Sequence, residues 1–281
     1  MPPPTTEDRP LVMGVLNVTP DSFSDGGQWF EGADAVVRGM EMVGEGADIV
    51  DVGGESTRPR ARPVPLDEEL RRVLPVVEAL APHVRVSIDT TKAEVAAAAV
   101  AAGATLINDV SATLWQVAAD HGVGWVAMHR KGTPADMQDA PHYDDVVGEV
   151  RAFLAERAAT AADGGVAEVW IDPGIGFGKT IGHNLRLLGS VDALVGLGFP
   201  VMVGTSRKSF LGVLSTPPGQ PPAPTGDRLA ASLATATWAM SQGARMVRVH
   251  DVPATVQAAT LVGPPDGLSV GSAAIGQRGR P

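Results

Sequence analysis

The chain has 281 residues, of which 44% are hydrophobic, and its 32 acidic against 22 basic side chains give a formal net charge of −10. An acidic chain without a long basic run is a poor candidate for binding nucleic acid or an anionic membrane. No apolar stretch reaches the roughly 18 residues that span a bilayer, and no secretory signal is recognisable at the start. The absence of cysteine excludes disulfides and thiolate chemistry, which is compatible with the cytoplasm.

Eight short apolar runs recur along the chain, and each ends in polar or glycine residues. Runs that are continuously apolar are typical of parallel strands buried on both faces. We predict these strands at 11–16, 48–52, 84–88, 104–107, 124–128, 168–171, 200–203 and 245–249.

Alanine-rich amphipathic segments separate the strands, and we predict helices at 33–45, 66–81, 92–102, 145–163, 184–197 and 227–242. Gly-Ala pairs at 46–47, 103–104 and 243–244 stand where a helix C-cap passes into the next strand. Repeated strand–helix units close into a barrel or form an open doubly wound sheet. Because polar strand ends occur in most units, we predict an α/β fold: a single-domain (β/α)8 TIM barrel.

The predicted barrel spans residues 11–262, with a disordered tail at 1–10 and a flexible tail at 263–281. In such barrels the active site is built at the C-terminal ends of the strands and in the loops that follow them. The candidate functional residues are therefore those that follow each apolar run.

The first two strand ends carry long loops. The loop at 17–27 contains Phe23, which is too apolar for an ordinary exposed tip, and we interpret it as a mobile lid rather than a plain turn. Asn17 emerges directly from the strand and offers an oxygen ligand to Mg²⁺. The loop at 53–63 places three arginines within five residues, which favours recruitment of an anion or carboxylate over a solvated basic loop.

Three further strand ends carry an isolated amide or carboxylate. Asp89, the pair Asn108 and Asp109, and Asp172 each follow an apolar strand. Any one of them could be a helix N-cap. Together at one barrel mouth, such acceptors suit a flat heterocycle that displays a guanidine-like donor edge.

The last two strand ends carry cations. Lys208 stands just after the seventh strand as a compact positive charge. Arg248 and His250 are two apart on the eighth strand, so they point to the same side. With the helix that Pro253 can open, they predict a clamp for phosphate or pyrophosphate.

These strand ends resemble the dihydropteroate synthase family of pterin-binding proteins, in order, from about residue 11 to residue 262. The matching stretches are MGVLNVTPDSFSDGG (13–27), DVGGESTRP (51–59), SIDT (87–90), IND (107–109), DPGIGFGK (172–179), SRKS (206–209) and RVHD (248–251). The resemblance implies a transferase of folate biosynthesis that joins (7,8-dihydropterin-6-yl)methyl diphosphate to 4-aminobenzoate with loss of pyrophosphate. It also implies Mg²⁺, a homodimer and inhibition by sulfonamides.

The resemblance further assigns roles to individual residues. Those that would bind the pterin diphosphate are Asn17, Asp89, Asn108, Met128, Asp172, Phe177, Gly204, Lys208, Arg248 and His250, with Asn17 also on Mg²⁺. Those that would meet 4-aminobenzoate are Thr57, Arg58, Pro59 and Ser209. The catalytic set would be Asp89, Asp172, Lys208, Arg248 and His250, under a lid bearing Phe23 and Asp25.

The chemistry expected of such groups is a dissociative substitution in which positioning is the main catalytic device. The alternatives are a pterin-binding methyltransferase barrel, which has no use for a diphosphate clamp, and a non-enzymatic pterin-binding paralogue. Departures from the family are Arg60 and Arg62 in the second loop, which predict altered affinity for aminobenzoate and sulfonamides, the short segment 111–115, and the proline-rich segment 216–224.

Overall fold

The computed structural model describes residues 9–19, 30–56, 63–133 and 135–263. The strands are β1 (Leu11–Asn17), β2 (Ile49–Gly53), β3 (Arg85–Asp89), β4 (Leu106–Asp109), β5 (Gly124–Met128), β6 (Val169–Asp172), β7 (Met202–Val203) and β8 (Met246–Val249). The helices are α1 (Phe30–Gly44), α2 (Leu66–Leu80), α3 (Ala93–Ala101), α4 (Trp115–His121), α5 (Val146–Asp163), α6 (Ile181–Leu188), α7 (Val191–Val195), α8 (Ser209–Leu214), α9 (Leu229–Ser241) and α10 (Val252–Val262).

The strands form one parallel sheet in the order β6-β5-β4-β3-β2-β1-β8-β7. A single parallel bridge between Ile171 and Val201 joins the two ends of the sheet. The sheet is therefore a nearly closed barrel with helices around it, and the predicted (β/α)8 TIM barrel is confirmed.

Two apolar cores follow from the alternation of side chains along each strand. The inner core is Met13, Ile49, Leu106, Val126, Trp170, Met202 and Met246. The residues next to these, such as Val12, Val50 and Ile107, pack in the larger core between strands and helices. The same alternation, continued toward the C-terminal ends, decides which polar side chains enter the barrel mouth.

Each predicted strand overlaps an observed one, but the helices differ in three places. The predicted helix at 184–197 is two helices, because α6 ends at Leu188, with Gly189 as its C-cap, and α7 begins at Val191. The short helices α4 and α8 were not predicted, and α4 begins inside the segment that is short for the family. The glycines of the Gly-Ala pairs do lie just beyond helix ends, with positive φ at Gly46, Gly103 and Gly243.

Two further details concern the start of the predicted barrel and the proline-rich segment. Arg9 and Pro10, assigned to the first tail, are buried, and the Arg9 guanidinium donates to the Asp48 carboxylate. Residues 216–224 form no helix and are mostly exposed, as their prolines require. They follow α8 rather than β7 directly.

Candidate active site

The polar residues that the sequence singled out meet at one end of the barrel. Asp89 is the last residue of β3, and the register places it beside both Gly53 of β2 and Asn108 of β4. Asp172 is the last residue of β6 and lies beside Met128 of β5. Asp172 and Asn108 each stand two residues after an inner-core residue of their strand, Trp170 and Leu106, so their side chains face the barrel mouth, and Asp89 is level with Asn108.

An ion-pair network crosses this mouth from β8 to β2, β3 and β4. Arg248 donates from Nε to Asp51 Oδ2 at 2.6 Å and from Nη2 to Asp89 Oδ2 at 2.7 Å. Asn108 donates from Nδ2 to the same Asp51 oxygen at 2.9 Å. Asp51 was not among the predicted site residues, although one carboxylate between apolar neighbours, an even step beyond Ile49, was a signal that it enters the barrel.

Burial dominates the electrostatics of this network. Burial raises the pKa of Asp89 to about 7, against the opposing effect of Arg248. Burial by itself would lower the pKa of Arg248, but Asp51 and Asp89 outweigh it and raise that pKa. Arg248 therefore stays charged, and it holds two carboxylates that water does not solvate.

Three buried oxygens of this network have no hydrogen-bond partner among the described residues. They are Oδ1 of Asp51, Oδ1 of Asp89 and Oγ of Ser87, which the register places beside Asp51. Buried polar atoms are nearly always paired in folded proteins. These acceptors therefore suit a ligand that brings several N–H donors into the barrel mouth.

Asp172 and Lys208 form a second part of the mouth. Asp172 Oδ1 accepts from the backbone N–H of Gly174 at 2.8 Å, and Lys208 Nζ donates to the carbonyl of Ile175. The Lys208 ammonium also lies 4.8 Å from the centre of the Phe177 ring. Burial lowers the pKa of Lys208 to about 8 and raises that of Asp172, and each charge partly offsets the effect on the other.

Gly204 shows that the two parts adjoin. A Cβ added there would lie 3.6 Å from Cβ of Arg248 and 3.9 Å from Nζ of Lys208. Arg248 also acts electrostatically on Asp172, lowering its pKa. The predicted convergence of these distant residues at a single rim is therefore observed.

The other described candidates lie around the same rim. His250 shares a hydrogen bond between Nδ1 and Ser206 Oγ at 3.1 Å and is half-buried. Met128 is buried, Asn17 is half-buried beside Gly53, and Ser209 is exposed at the start of α8. Their contacts with substrates stay predictions.

The remaining candidates are one residue that lies away from the mouth and a group that the structure does not describe. Asp109 points away from the mouth and accepts from the backbone N–H groups of Thr113 and Leu114 at 2.6 and 2.7 Å. It therefore orders the turn before α4 and is not the N-cap of that helix, which is Leu114. The loop residues Phe23, Asp25, Thr57, Arg58 and Pro59, with Arg60 and Arg62, lie outside the described residues.

The metal prediction rests on Asn17. Within the described ranges, no three histidine, aspartate or glutamate side chains converge in a way that could hold a metal ion. Mg²⁺ usually keeps several waters and takes one or two protein oxygens together with substrate phosphates. One amide oxygen at the rim fits a site of that kind, which a bound diphosphate would complete.

Comparison with known proteins identifies the family of this chain. The model of the pterin binding enzyme family matches residues 13–250. The dihydropteroate synthase of Escherichia coli K12 is 45% identical over 263 residues, covering 90% of this chain and 91% of that protein.

Solved structures of similar proteins extend this comparison. The Xanthomonas albilineans dihydropteroate synthase with 4-aminobenzoic acid superposes with a TM-score of 0.83 at 48% identity, covering 90% of this chain and 92% of that one. The same enzyme in complex with 7,8-dihydropteroate gives a TM-score of 0.80 at 45% identity, with coverage of 92% and 94%.

The chain belongs to the pterin-binding enzymes. Within that class it belongs to the dihydropteroate synthases, which are transferases of folate biosynthesis. In the part of the chain that the structure describes, no helix is long and apolar enough to cross a membrane.

Proposed function

We propose that the protein joins (7,8-dihydropterin-6-yl)methyl diphosphate to 4-aminobenzoate, giving 7,8-dihydropteroate and pyrophosphate. The observation that carries this proposal is the set of buried acceptors at the barrel mouth beside the half-buried Lys208. The amino-pyrimidinone edge of a pterin displays N–H donors, and the side chains of Asp172, Asp89 and Asn108 supply acceptors for them. Lys208 adds a donor for the acceptors of the same ring system.

Catalysis by these residues is a matter of charge placement. As the bond from the pterin methylene to the diphosphate breaks, positive character grows on the dihydropterin, and the ionised Asp172 stabilises it. His250 stands at the same rim to bind the negative charge that develops on the diphosphate, and Arg248 adds its positive field. The neutral amine of 4-aminobenzoate then forms its bond to the methylene carbon and releases one proton to solvent, so no strong base is needed. The substitution is dissociative because the bond to diphosphate breaks ahead of the new carbon–nitrogen bond.

Binding of the leaving group includes Mg²⁺ in this proposal. Asn17 would hold the ion at the end of β1, where the diphosphate oxygens and water complete its coordination. When bound, Mg²⁺ neutralises charge on the departing pyrophosphate.

We also propose that the protein is a cytoplasmic homodimer. Support comes from Leu185 on α6 and from Leu229 and Trp238 on α9, large apolar side chains that are more than a third exposed on neighbouring helices. Sedimentation should report a dimer, and Trp238→Glu should shift it toward the monomer. A wild-type monomer at micromolar concentration would contradict this part.

The test of the reaction is pyrophosphate release from the dihydropterin diphosphate, with and without 4-aminobenzoate and Mg²⁺. The proposed function predicts rapid release only when all three are present, and 7,8-dihydropteroate as the product. A methyltransferase or a pterin-binding protein without activity would release no pyrophosphate under any of these conditions.

A further inference from the structure

Lys179 is a buried cation that the proposed reaction does not use. It closes the loop that begins at Asp172, and only 3% of its surface is exposed. A lysine is almost never so deeply buried unless its ammonium group is bound by several acceptors.

The acceptors of Lys179 come from two neighbouring loops. Its Nζ lies 3.0 Å from the carbonyl of Gly174, 3.0 Å from that of Phe177 and 3.0 Å from Nδ1 of His129, which follows β5. The carbonyl of His129 lies at 3.3 Å. One side chain thus joins both ends of the loop after β6 to the end of β5.

The backbone of this loop packs closely against the segment that follows β5. Gly174 has φ +64°, and a Cβ there would stand 1.9 Å from the carbonyl oxygen of His129. Gly178 has φ +63°, and its Cβ would stand 2.1 Å from the carbonyl oxygen of Lys131. Only glycine permits this approach of the two backbones, with the lysine ammonium bound between them.

Backbone groups of the same loop hydrogen-bond to both Asp172 and Lys208, the two side chains proposed to bind the pterin. Gly174 gives its carbonyl to Lys179 and its N–H to the Asp172 carboxylate. Ile175, the next residue, gives its carbonyl to Lys208. A shift of the Gly174–Ile175 backbone would therefore move Asp172 and Lys208 relative to each other.

We propose that Lys179 is a positioning residue for pterin recognition: by fixing the loop after β6 against His129, it holds Asp172 and Lys208 in the geometry that receives the ring. This inference rests on the proposed function, because the pterin is the ligand that Asp172 and Lys208 are proposed to bind. Lys179 acts through the carbonyl of Gly174 and has no contact with substrate in this account.

Charge gives the positioning role an independent signature. Burial lowers the pKa of His129 to about 3, with Lys179 adding to the effect, so His129 stays a neutral acceptor. Asp172 is faced by three cations, Lys208 from the start of α8, Lys179 from its own loop and Arg248 from β8, and each lowers its pKa. Burial lowers the pKa of Lys179 itself to about 7, so its charge is present on the acid side of neutral pH. Loss of that charge there must raise the pKa at which Asp172 ionises.

The experiment compares Lys179→Met, Lys179→Gln and the control Lys131→Met, which makes the same change on the exposed side of the neighbouring loop. Steady-state kinetics should show KM for the dihydropterin diphosphate raised about 10- to 100-fold in Lys179→Met, as expected for misplaced binding groups. KM for 4-aminobenzoate should stay unchanged, and the control should match the wild type.

The pH profile separates positioning from mere support of the fold. In both Lys179 variants, the acid limb of kcat/KM for the dihydropterin diphosphate should move to higher pH, while Lys131→Met leaves it in place. The inference is overturned if both KM values change equally, or if thermal stability falls while the pterin KM and the acid limb stay fixed. If neither Lys179 variant folds, His129→Asn, which removes one anchor, must raise the pterin KM alone.

A binding measurement distinguishes failure of this inference from failure of the proposed function. Calorimetric titration with 7,8-dihydropteroate reports the pterin geometry even if no pyrophosphate is released. Wild-type binding that Lys179→Met weakens would keep the positioning role while the proposed reaction fails. Equal binding by both would overturn the positioning role, whatever the activity.

Discussion

The two ends of the barrel use charge in opposite ways. At the N-terminal end, both oxygens of Asp48 are bound: the Arg9 guanidinium donates at 2.8 and 3.0 Å, and the N–H of Val12 at 2.7 Å. At the C-terminal end, Asp51 and Asp89 share one guanidinium, and each keeps a buried oxygen without a partner among the described residues. The first arrangement serves stability, and the second holds acceptors ready for a ligand.

The largest expected effect comes from removing the cation that holds the C-terminal end together. Arg248→Met leaves Asp51 and Asp89 buried with no positive partner in direct contact. We expect a loss of about 3–5 kcal/mol in the free energy of unfolding, measured by urea denaturation, together with loss of detectable turnover. A stable, active Arg248→Met protein would mean that the network is not the centre of the site.

Asp172→Asn should separate activity from stability. The amide keeps an oxygen for the N–H of Gly174 but cannot stabilise a cationic dihydropterin, so kcat/KM should fall about 10²- to 10³-fold. Because burial disfavours the ionised carboxylate, the free energy of unfolding at neutral pH should stay level or rise. A destabilised variant with near-normal kcat/KM would contradict the assignment of Asp172 to catalysis.

Arg9→Met tests the role of charge at the N-terminal end of the barrel. It removes two charged hydrogen bonds from Asp48 and should lower the free energy of unfolding by about 2 kcal/mol. Thermal melting and initial rates on the same sample should show a lower Tm with kcat and both KM values unchanged. A change in either KM at permissive temperature would show that the two ends are coupled.

The smallest expected effect is the pH dependence of kcat/KM that the ionisation of Lys208 causes. Burial lowers the pKa of Lys208 to about 8, so the ammonium is present below that pH and is lost as the pH rises through it. The kcat/KM for the dihydropterin diphosphate should therefore decline on the alkaline side of pH 8. Lys208→Arg should remove that decline, since guanidinium stays charged; an unchanged alkaline limb would assign it to another group.

The sequence predicted which polar residues lie at the C-terminal end of the barrel, but it did not predict how they pair with one another. Asp89, Asn108 and Asp172 were predictable, because each follows an apolar run and parallel strands end at one rim. The pairing of Arg248 with Asp51 spans 197 residues and exists because β8 pairs with β1, which in turn pairs with β2. Local patterning carries no information about which distant strands are neighbours.

Short elements were also beyond local reasoning. Helices α4 and α8 have seven and six residues, too few for a clear amphipathic period, so tertiary packing decides them. The break between α6 and α7 depends on Gly189, which a pattern of apolar residues passes over. Lys179 gave no sign of burial, because most of its acceptors are backbone carbonyls that any sequence would supply and the remaining one, the His129 ring, lies 50 residues away along the chain.

The most direct test is a crystal structure of the protein with 7,8-dihydropteroate bound. The account predicts the pterin ring at the C-terminal end of the barrel, its donor edge within hydrogen-bond distance of the Asp172 carboxylate and Asn108, and Lys208 beside the ring. A product bound elsewhere, or a pterin at this end that leaves Asp172 without contact, would contradict it.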